Sequence, residues 1–301
     1  VRATGTSVTR PIGRAGTTPA IMLVVVGLAC QEVGASLAVL LFPEVGPLGM
    51  VMLRLVFSAV VLLLIARPAL RGHSRADWSG VVLFGLVLAV MNGLFYLALE
   101  RLALGVTVTI EVLGPLVLSI VASRRASAWL WALLALAGVV ALGGGGWDRL
   151  DPLGVVFALG AAASWAFYIL SSARVGRAFP KLDGLALAMA VGAVIALPFG
   201  IADAGAALLR IELVALGAAV ALLSSTIPYA FELVALRRLP AAAFAILMSL
   251  APATAALAGF VFLGQHMTWL EVAGIALVIA ASIGAVRSSS RAARETAEPV
   301  A

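Results

Sequence analysis

Ten apolar stretches, each long enough to cross a bilayer as a helix, follow one another along this chain with short connections between them. They fall at 20–42, 47–66, 78–99, 104–122, 128–144, 153–172, 184–202, 213–236, 241–264 and 269–286. Crossing roughly 30 Å of hydrocarbon takes about 20 apolar residues in a helix, and every backbone polar group there must be satisfied within the protein. Apolar residues make up 63% of the chain and charged residues 11%, against about 45–50% and about 25% in soluble domains. A water-soluble core could not hide that much apolar surface. The expected fold class is an all-α integral membrane protein with ten transmembrane helices, its apolar surface in contact with the lipid bilayer.

The basic residues orient it. Counting the first segment as cytoplasmic, sixteen of the 20 lysines and arginines fall on that side: Arg2, Arg10 and Arg14; Arg67, Arg71 and Arg75; Arg124 and Arg125; Arg174, Arg177 and Lys181; Arg237 and Arg238; Arg287, Arg291 and Arg294. Arg101, Arg149 and Arg210 fall on the other side, and Arg54 lies inside a span. This is a positive-inside distribution and predicts both termini in the cytoplasm, in the inner or plasma membrane. The net charge of +6 thus reports topology, and no nucleic-acid partner is expected. The lone Cys30 rules out an internal disulfide and any multi-cysteine metal site. His73 and His266 share no ligand spacing with acidic neighbours, so neither a metal nor a cofactor is expected. The first span is too long for a signal-peptide core and nine more follow, so it is expected to be retained.

The halves of the chain resemble each other. Leu99-Glu100-Arg101-Leu102 aligns with Leu236-Arg237-Arg238-Leu239 at an offset of 137 that also carries Pro115 onto Pro252 and Leu113 onto Leu250. With one gap, Ala137-Gly138-Val139 meets Ala273-Gly274-Ile275. The reading is a flexible tail over 1–19, a five-helix repeat over 20–147, a second over 148–287, and a tail over 288–301. Five is odd, so the second repeat enters the membrane from the opposite side. Inverted repeats of this kind recur in transporters, with the substrate held near the midplane between them. Pro115 and Pro252 become matched interruptions of spans four and nine, each freeing a backbone carbonyl.

Ionisable groups at membrane depth are costly and call for a reason. Glu32, Arg54, Glu111 and Glu232 are four of them, and Arg54 is expected to approach Glu32 or Glu111, as a structural ion pair or as part of a site. Helical spacing groups Thr107, Glu111 and Gly114, groups Ser225, Tyr229 and Glu232, and brings Asn92, Tyr96 and Glu100 close together. Ser164, Trp165 and Tyr168 form an aromatic and hydroxyl cluster. The candidate substrate and proton pathway is Glu32, Arg54, Asn92, Tyr96, Glu111, Pro115, Trp165, Tyr168, Ser225, Tyr229, Glu232, Ser249 and Pro252. Gly27, Gly34 and Gly160 suit close helix packing. Trp78, Trp129, Trp131 and Trp269 suit interface anchoring, and Gln265 and Glu271 a solvated turn.

The stretch NGLFYLALERLALGVTVTIEVLGPLVLSIVASRR from Asn92, with ALGAAASWAFYILSSARVG from Ala158 and LLSSTIPYAFELVALRRLP from Leu222, resembles the threonine/homoserine exporter family of the drug/metabolite transporter (EamA-type) superfamily. The resemblance runs from about Val26 to Ala285. It implies ten helices in two inverted repeats, and efflux of small amino acids such as threonine or homoserine by proton antiport. Arg54, Glu111, Pro115, Trp165, Tyr168, Pro228, Tyr229, Glu232 and Pro252 fall on the family's positions. The chain departs from the pattern at Glu32, where Gln is usual, at Val39, where Lys is common, and at Ala251 and Gln265, which both replace Glu. Export of a different metabolite or drug is the alternative within the same superfamily. A membrane-embedded enzyme finds little support: the chain has no histidine near a serine nucleophile and no GxxxxGK[ST] loop, and the glycine run at 143–146 reads as a turn. A scaffold or receptor would not need buried carboxylates.

Overall fold

The computed structural model describes residues 17–123, 126–142, 150–236, 238–239 and 241–297. Every regular element among them is helical. The first half of the chain holds α1 (Thr17–Val45), α2 (Pro47–Ala66), α3 (Arg75–Leu99), α4 (Leu104–Glu111), α5 (Leu113–Ser123) and α6 (Ala126–Leu142). The second half holds α7 (Pro152–Ala178), α8 (Asp183–Ala204), α9 (Ile211–Ala221), α10 (Ile227–Leu236), α11 (Ala241–Met248), α12 (Ala251–Leu263) and α13 (Trp269–Ala297). Among the described residues nine segments are long and apolar enough to cross a membrane, and a tenth apolar helix, Trp129–Leu142, is shorter. Large apolar side chains such as Leu64, Val121, Leu133, Phe199 and Val261 stand exposed around the outside, as lipid contact requires. The chain is an all-helical integral membrane protein. Arg2, Arg10, Arg14, Arg124, Arg125, Arg149, Arg237 and the glycine run at 143–146 lie outside the described residues.

Three spans are broken rather than continuous. α4 gives way to α5 at Val112, three residues ahead of Pro115, and α11 gives way to α12 at Ser249 and Leu250, just ahead of Pro252. Between α9 and α10 the backbone widens into a π turn over Leu222–Thr226, followed at once by Pro228. In each case the proline has no N–H for the carbonyl one turn behind it.

Small residues set the packing. α2 lies along α8, α3 along α7, and α6 along α13. A Cβ on Gly138 would come 2.7 Å from the Gly274 carbonyl oxygen, and one on Gly274 would come 2.6 Å from that of Gly138, so α6 and α13 touch backbone to backbone. Gly34 presses α1 onto Ser224 of the π turn, and Gly114 sets α5 against the Ala162 carbonyl of α7. With no hydrophobic drive between helices in lipid, such close approach is what holds them.

One end of the bundle is tied by polar contacts, most of them joining the first half to the second. Arg210 pairs with Glu44 at 2.7 Å, and with its neighbour Glu212 at 3.0 Å. Asp203 accepts the Leu48 and Gly49 N–H groups at 2.8 and 3.2 Å, capping α2 beyond Gly46, whose φ of 73° suits glycine. Arg101 meets Asp151 at 3.1 Å. Gln265, expected to be solvated, instead accepts the Leu104 N–H at 3.0 Å and caps α4. Glu271 forms a reciprocal cap with Thr268. Trp129 and Trp269 are exposed as interface anchors would be. Trp131 is not; its ring packs under Gly284 and its indole N–H reaches Ser288 Oγ. Trp78 packs edge-on to Phe179.

Candidate functional site

The polar residues of the spans converge on one internal cavity of about 460 Å³. α1 contributes Gln31, Glu32 and Ala35, and α2 contributes Arg54. Met91, Asn92 and Phe95 come from α3, and the α4–α5 break supplies Glu111, Val112, Pro115, Leu116 and Ser119. From the second half come Trp165, Tyr168 and Ile169 of α7, Ser224 of the π turn, and Tyr229 and Glu232 of α10. The α11 side adds Phe244, Ala245, Met248 and Ser249, and α13 adds Ser282, Ala285 and Val286. None of these lies in the helical turn nearest the tied end. At the other end the lining reaches Glu232, Phe244 and Val286, so the cavity leads away from the ties.

Arg54 is its buried cation. Nε donates to Ser225 Oγ at 2.9 Å, one terminal nitrogen to the Ser224 carbonyl at 3.1 Å, and the other to the Tyr96 hydroxyl at 3.4 Å. The guanidinium carbon lies 5.6 Å from the Tyr96 ring centroid, within cation–π range. No carboxylate lies within 4.0 Å of it among the described residues, so of the two expected arrangements the direct ion pair with Glu32 or Glu111 is not the one formed. Hydroxyls and a carbonyl satisfy the guanidinium instead, while both carboxylates line the same cavity.

Glu32 is 1% exposed, and its Oε2 has no hydrogen-bond partner among the described residues. Glu111 ends α4, and its own backbone carbonyl is the one whose donor Pro115 removes. Asn92 donates to Leu88 O at 2.8 Å within its helix. A guanidinium, two carboxyl groups and several hydroxyls and aromatic rings around a small volume can hold a compact molecule bearing both charges.

Of the thirteen residues expected from sequence, ten line the cavity. Tyr96 and Ser225 stand behind Arg54 and hold it, and Pro252 is buried in the first turn of α12, acting through the backbone. The shared faces hold only in part: Thr107 bonds back to Ala103, Gly114 is packed against α7, Ser164 bonds back to Gly160, and Glu100 is exposed near Arg101. Gln31, Phe95, Ser119, Phe244, Met248 and Ser282 line the cavity without having been anticipated. Met248 was within reach, because it precedes Pro252 by four residues as Glu111 precedes Pro115. Among the described residues no group of three His, Cys, Asp or Glu side chains could hold a metal ion.

Broken membrane helices around a buried polar cavity define a polytopic membrane protein of the carrier type. The chain belongs to the EamA-like transporter family, which matches residues 152–287. It is 38% identical over 276 residues to the threonine/homoserine exporter RhtA of Escherichia coli (strain K12), covering 90% of this chain and 93% of that protein. To RhtA of Salmonella typhimurium (strain SL1344) it is 37% identical over 273 residues, 90% and 92% of the two chains. An uncharacterized transporter of Bacillus subtilis (strain 168), YwfM, is 29% identical over 67% of this chain and 71% of its own. A protein of known crystal structure, 20% identical, shares the fold at a TM-score of 0.55 over 92% of this chain and 99% of that one.

Proposed function

We propose that this protein is a secondary active exporter of small amino acids, threonine or homoserine among them, working by exchange with protons across the inner or plasma membrane. The observation that carries this is the cavity, where Arg54 faces Glu32 and Glu111 within about 460 Å³, in a chain so similar to proteins named threonine/homoserine exporters. In this reading Arg54 receives the substrate carboxylate, and the two glutamates receive its ammonium or, in exchange, a proton. Trp165, Tyr168 and Tyr229 shape the wall, and Glu232 stands toward the end away from the ties. No chemical step is asked of the protein, so it is a carrier and not an enzyme. The test is export of a radiolabelled amino-acid panel from cells overexpressing the chain, against an empty vector. Threonine or homoserine accumulating outside is the expected result; no change for any amino acid would sink the substrate class.

The frame for exchange is ten spans in two inverted repeats, 20–147 and 148–287. Three spans pack against their own counterparts in this scheme: the second on the seventh through α2 and α8, the fourth on the ninth through α4 and α12, and the fifth on the tenth through α6 and α13. The reciprocal contact of Gly138 and Gly274, which the alignment of the halves pairs, supports the same symmetry, because an axis between them exchanges one for the other. Both termini are then cytoplasmic, and the tied end is the outer one. Reporter fusions in the 67–75 and 174–181 loops should read cytoplasmic, and fusions in the 203–210 loop external. Opposite sides for the 124–125 and 237–238 loops would break the scheme.

A further inference from the structure

We infer that Pro228 is a positioning residue for substrate recognition, setting the direction in which Arg54 presents itself to the cavity. The inference rests on the reading that Arg54 receives the substrate carboxylate. Arg54 belongs to α2, but two of its three hydrogen bonds go to the π turn that precedes α10. In that turn the Ile227 N–H is bonded back to Leu222 O. The next donor along the chain would be residue 228, a proline with none. Residue 228 would serve Leu223 O if the π register continued, or Ser224 O where the α register of α10 resumes, and that carbonyl is left without its helical donor. Ser224 O takes one from Arg54 at 3.1 Å.

The rest of the turn reinforces this. The Ser224 hydroxyl is committed to Val220 O at 2.6 Å, so this residue offers Arg54 its carbonyl. Ser225 Oγ takes Nε at 2.9 Å. Behind the turn, Gly34 brings the α1 backbone so close that a Cβ there would lie 2.9 Å from the Ser224 nitrogen. Of the five guanidinium N–H groups, three are thus bound, leaving one on each terminal nitrogen. Two N–H groups are what a bidentate carboxylate takes. An arginine held from behind in this way selects a planar carboxylate over a neutral group of the same size.

The test compares threonine with threoninol, which has an alcohol in place of the carboxylate, on the purified full-length chain in proteoliposomes. Pro228→Ala returns an N–H to the helix and lets its ladder close on the turn. The variant should bind threonine about tenfold more weakly, leave threoninol affinity unchanged, keep the saturated transport rate within about twofold, and melt no lower than the wild type. Ser225→Ala, which leaves the backbone untouched, should shift the threonine to threoninol ratio in the same direction and decides the matter if Pro228→Ala does not fold. In an Arg54→Gln background Pro228→Ala should add nothing to the loss. Equal weakening of both compounds, or an unchanged ratio in Pro228→Ala while Arg54→Gln abolishes the preference, overturns the positioning role and leaves the Arg54 reading standing. An unchanged preference in Arg54→Gln, or no threonine binding by the wild type, overturns that reading itself.

Discussion

Spans four and nine break at the same distance from a proline and yet bring different chemistry to the cavity. Four residues ahead of Pro115 stands Glu111; four residues ahead of Pro252 stands Met248. The backbone device is common to both, a helix interrupted so that a carbonyl is freed, but only the first break carries an ionisable group. The same division holds across the site. Glu32, Arg54 and Glu111 come from the first half of the chain, whereas the second half gives aromatic rings, hydroxyls and the more peripheral Glu232. Arg54 depends on that second half for its orientation, through Ser224 and Ser225. One half supplies charge and the other aims it.

The largest test of this division is Glu111→Gln set against Met248→Leu. The amide keeps the size and hydrogen-bonding capacity of the carboxyl but can neither take up nor release a proton. In proteoliposomes, pH-gradient-driven export of threonine should fall by more than tenfold in Glu111→Gln, with the protein still folded and inserted. Met248→Leu conserves volume and should export near the wild-type rate. Wild-type gradient-driven export by Glu111→Gln would move the proton site to Glu32, then to Glu232, or show that coupling is to another ion.

A second contrast lies in the residue just before each proline. Gly114 meets the Ala162 carbonyl so closely that no Cβ fits, while Ala251 occupies the matching place ahead of Pro252 and is buried. Gly114→Ala should therefore cost about 1–3 kcal/mol through overpacking of α5 on α7. Ala251→Gly should cost only about 0.5–1 kcal/mol, the ordinary penalty for glycine in a helix. Thermal unfolding in detergent measures both, and equal losses would show that the two breaks are packed alike.

The span pattern could be read from sequence because hydrophobic length in a membrane is dictated by the bilayer, and each buried charge is conspicuous against it. Glu32, Arg54 and Glu111 were found for that reason, and the prolines for their fixed effect on the backbone. The Arg54 partners were not found. Charge alone suggests a carboxylate, whereas the structure satisfies the guanidinium with two hydroxyls and the Ser224 carbonyl, and a carbonyl leaves no mark in a sequence. Gln265 was misread for a related reason. Its partner is the unpaired N–H at the start of α4, 161 residues away, and nothing local announces it. Phe244 and Ser282 are cavity residues only because α11 and α13 happen to present those faces.

A smaller effect is expected at Glu32. Its Oε2 is buried without a partner among the described residues, and Glu111 shares the cavity with it, so replacement leaves one carboxylate in place. Glu32→Gln should weaken threonine affinity by about threefold, less than a fully lost charged hydrogen bond, while export remains driven by the pH gradient. If Glu32→Gln uncoupled export as completely as Glu111→Gln, the two carboxylates would be acting as one unit, and the broken span would have no special claim on the proton.

The smallest effect separates the two supports at the tied end of span four. On one side Asp151 caps α7 through the Leu153 and Gly154 N–H groups at 2.8 and 3.0 Å and meets Arg101 at 3.1 Å. On the other, Gln265 from the turn after span nine caps α4 with a neutral oxygen. The Gly154 N–H and then Arg101 hold the Asp151 carboxyl below its ordinary value of 3.8. A carboxyl depressed in the folded state stabilises it fully above the unfolded pKa and loses that contribution as pH falls through the folded one. The melting-temperature gap between wild type and Asp151→Asn should accordingly be constant from about pH 7 to about pH 5 and shrink below about pH 4. Gln265→Ala removes a cap worth about 1 kcal/mol, and its gap should not change with pH. A gap for Asp151→Asn that ignored pH would mean that shape alone, and not charge, joins the halves at that point.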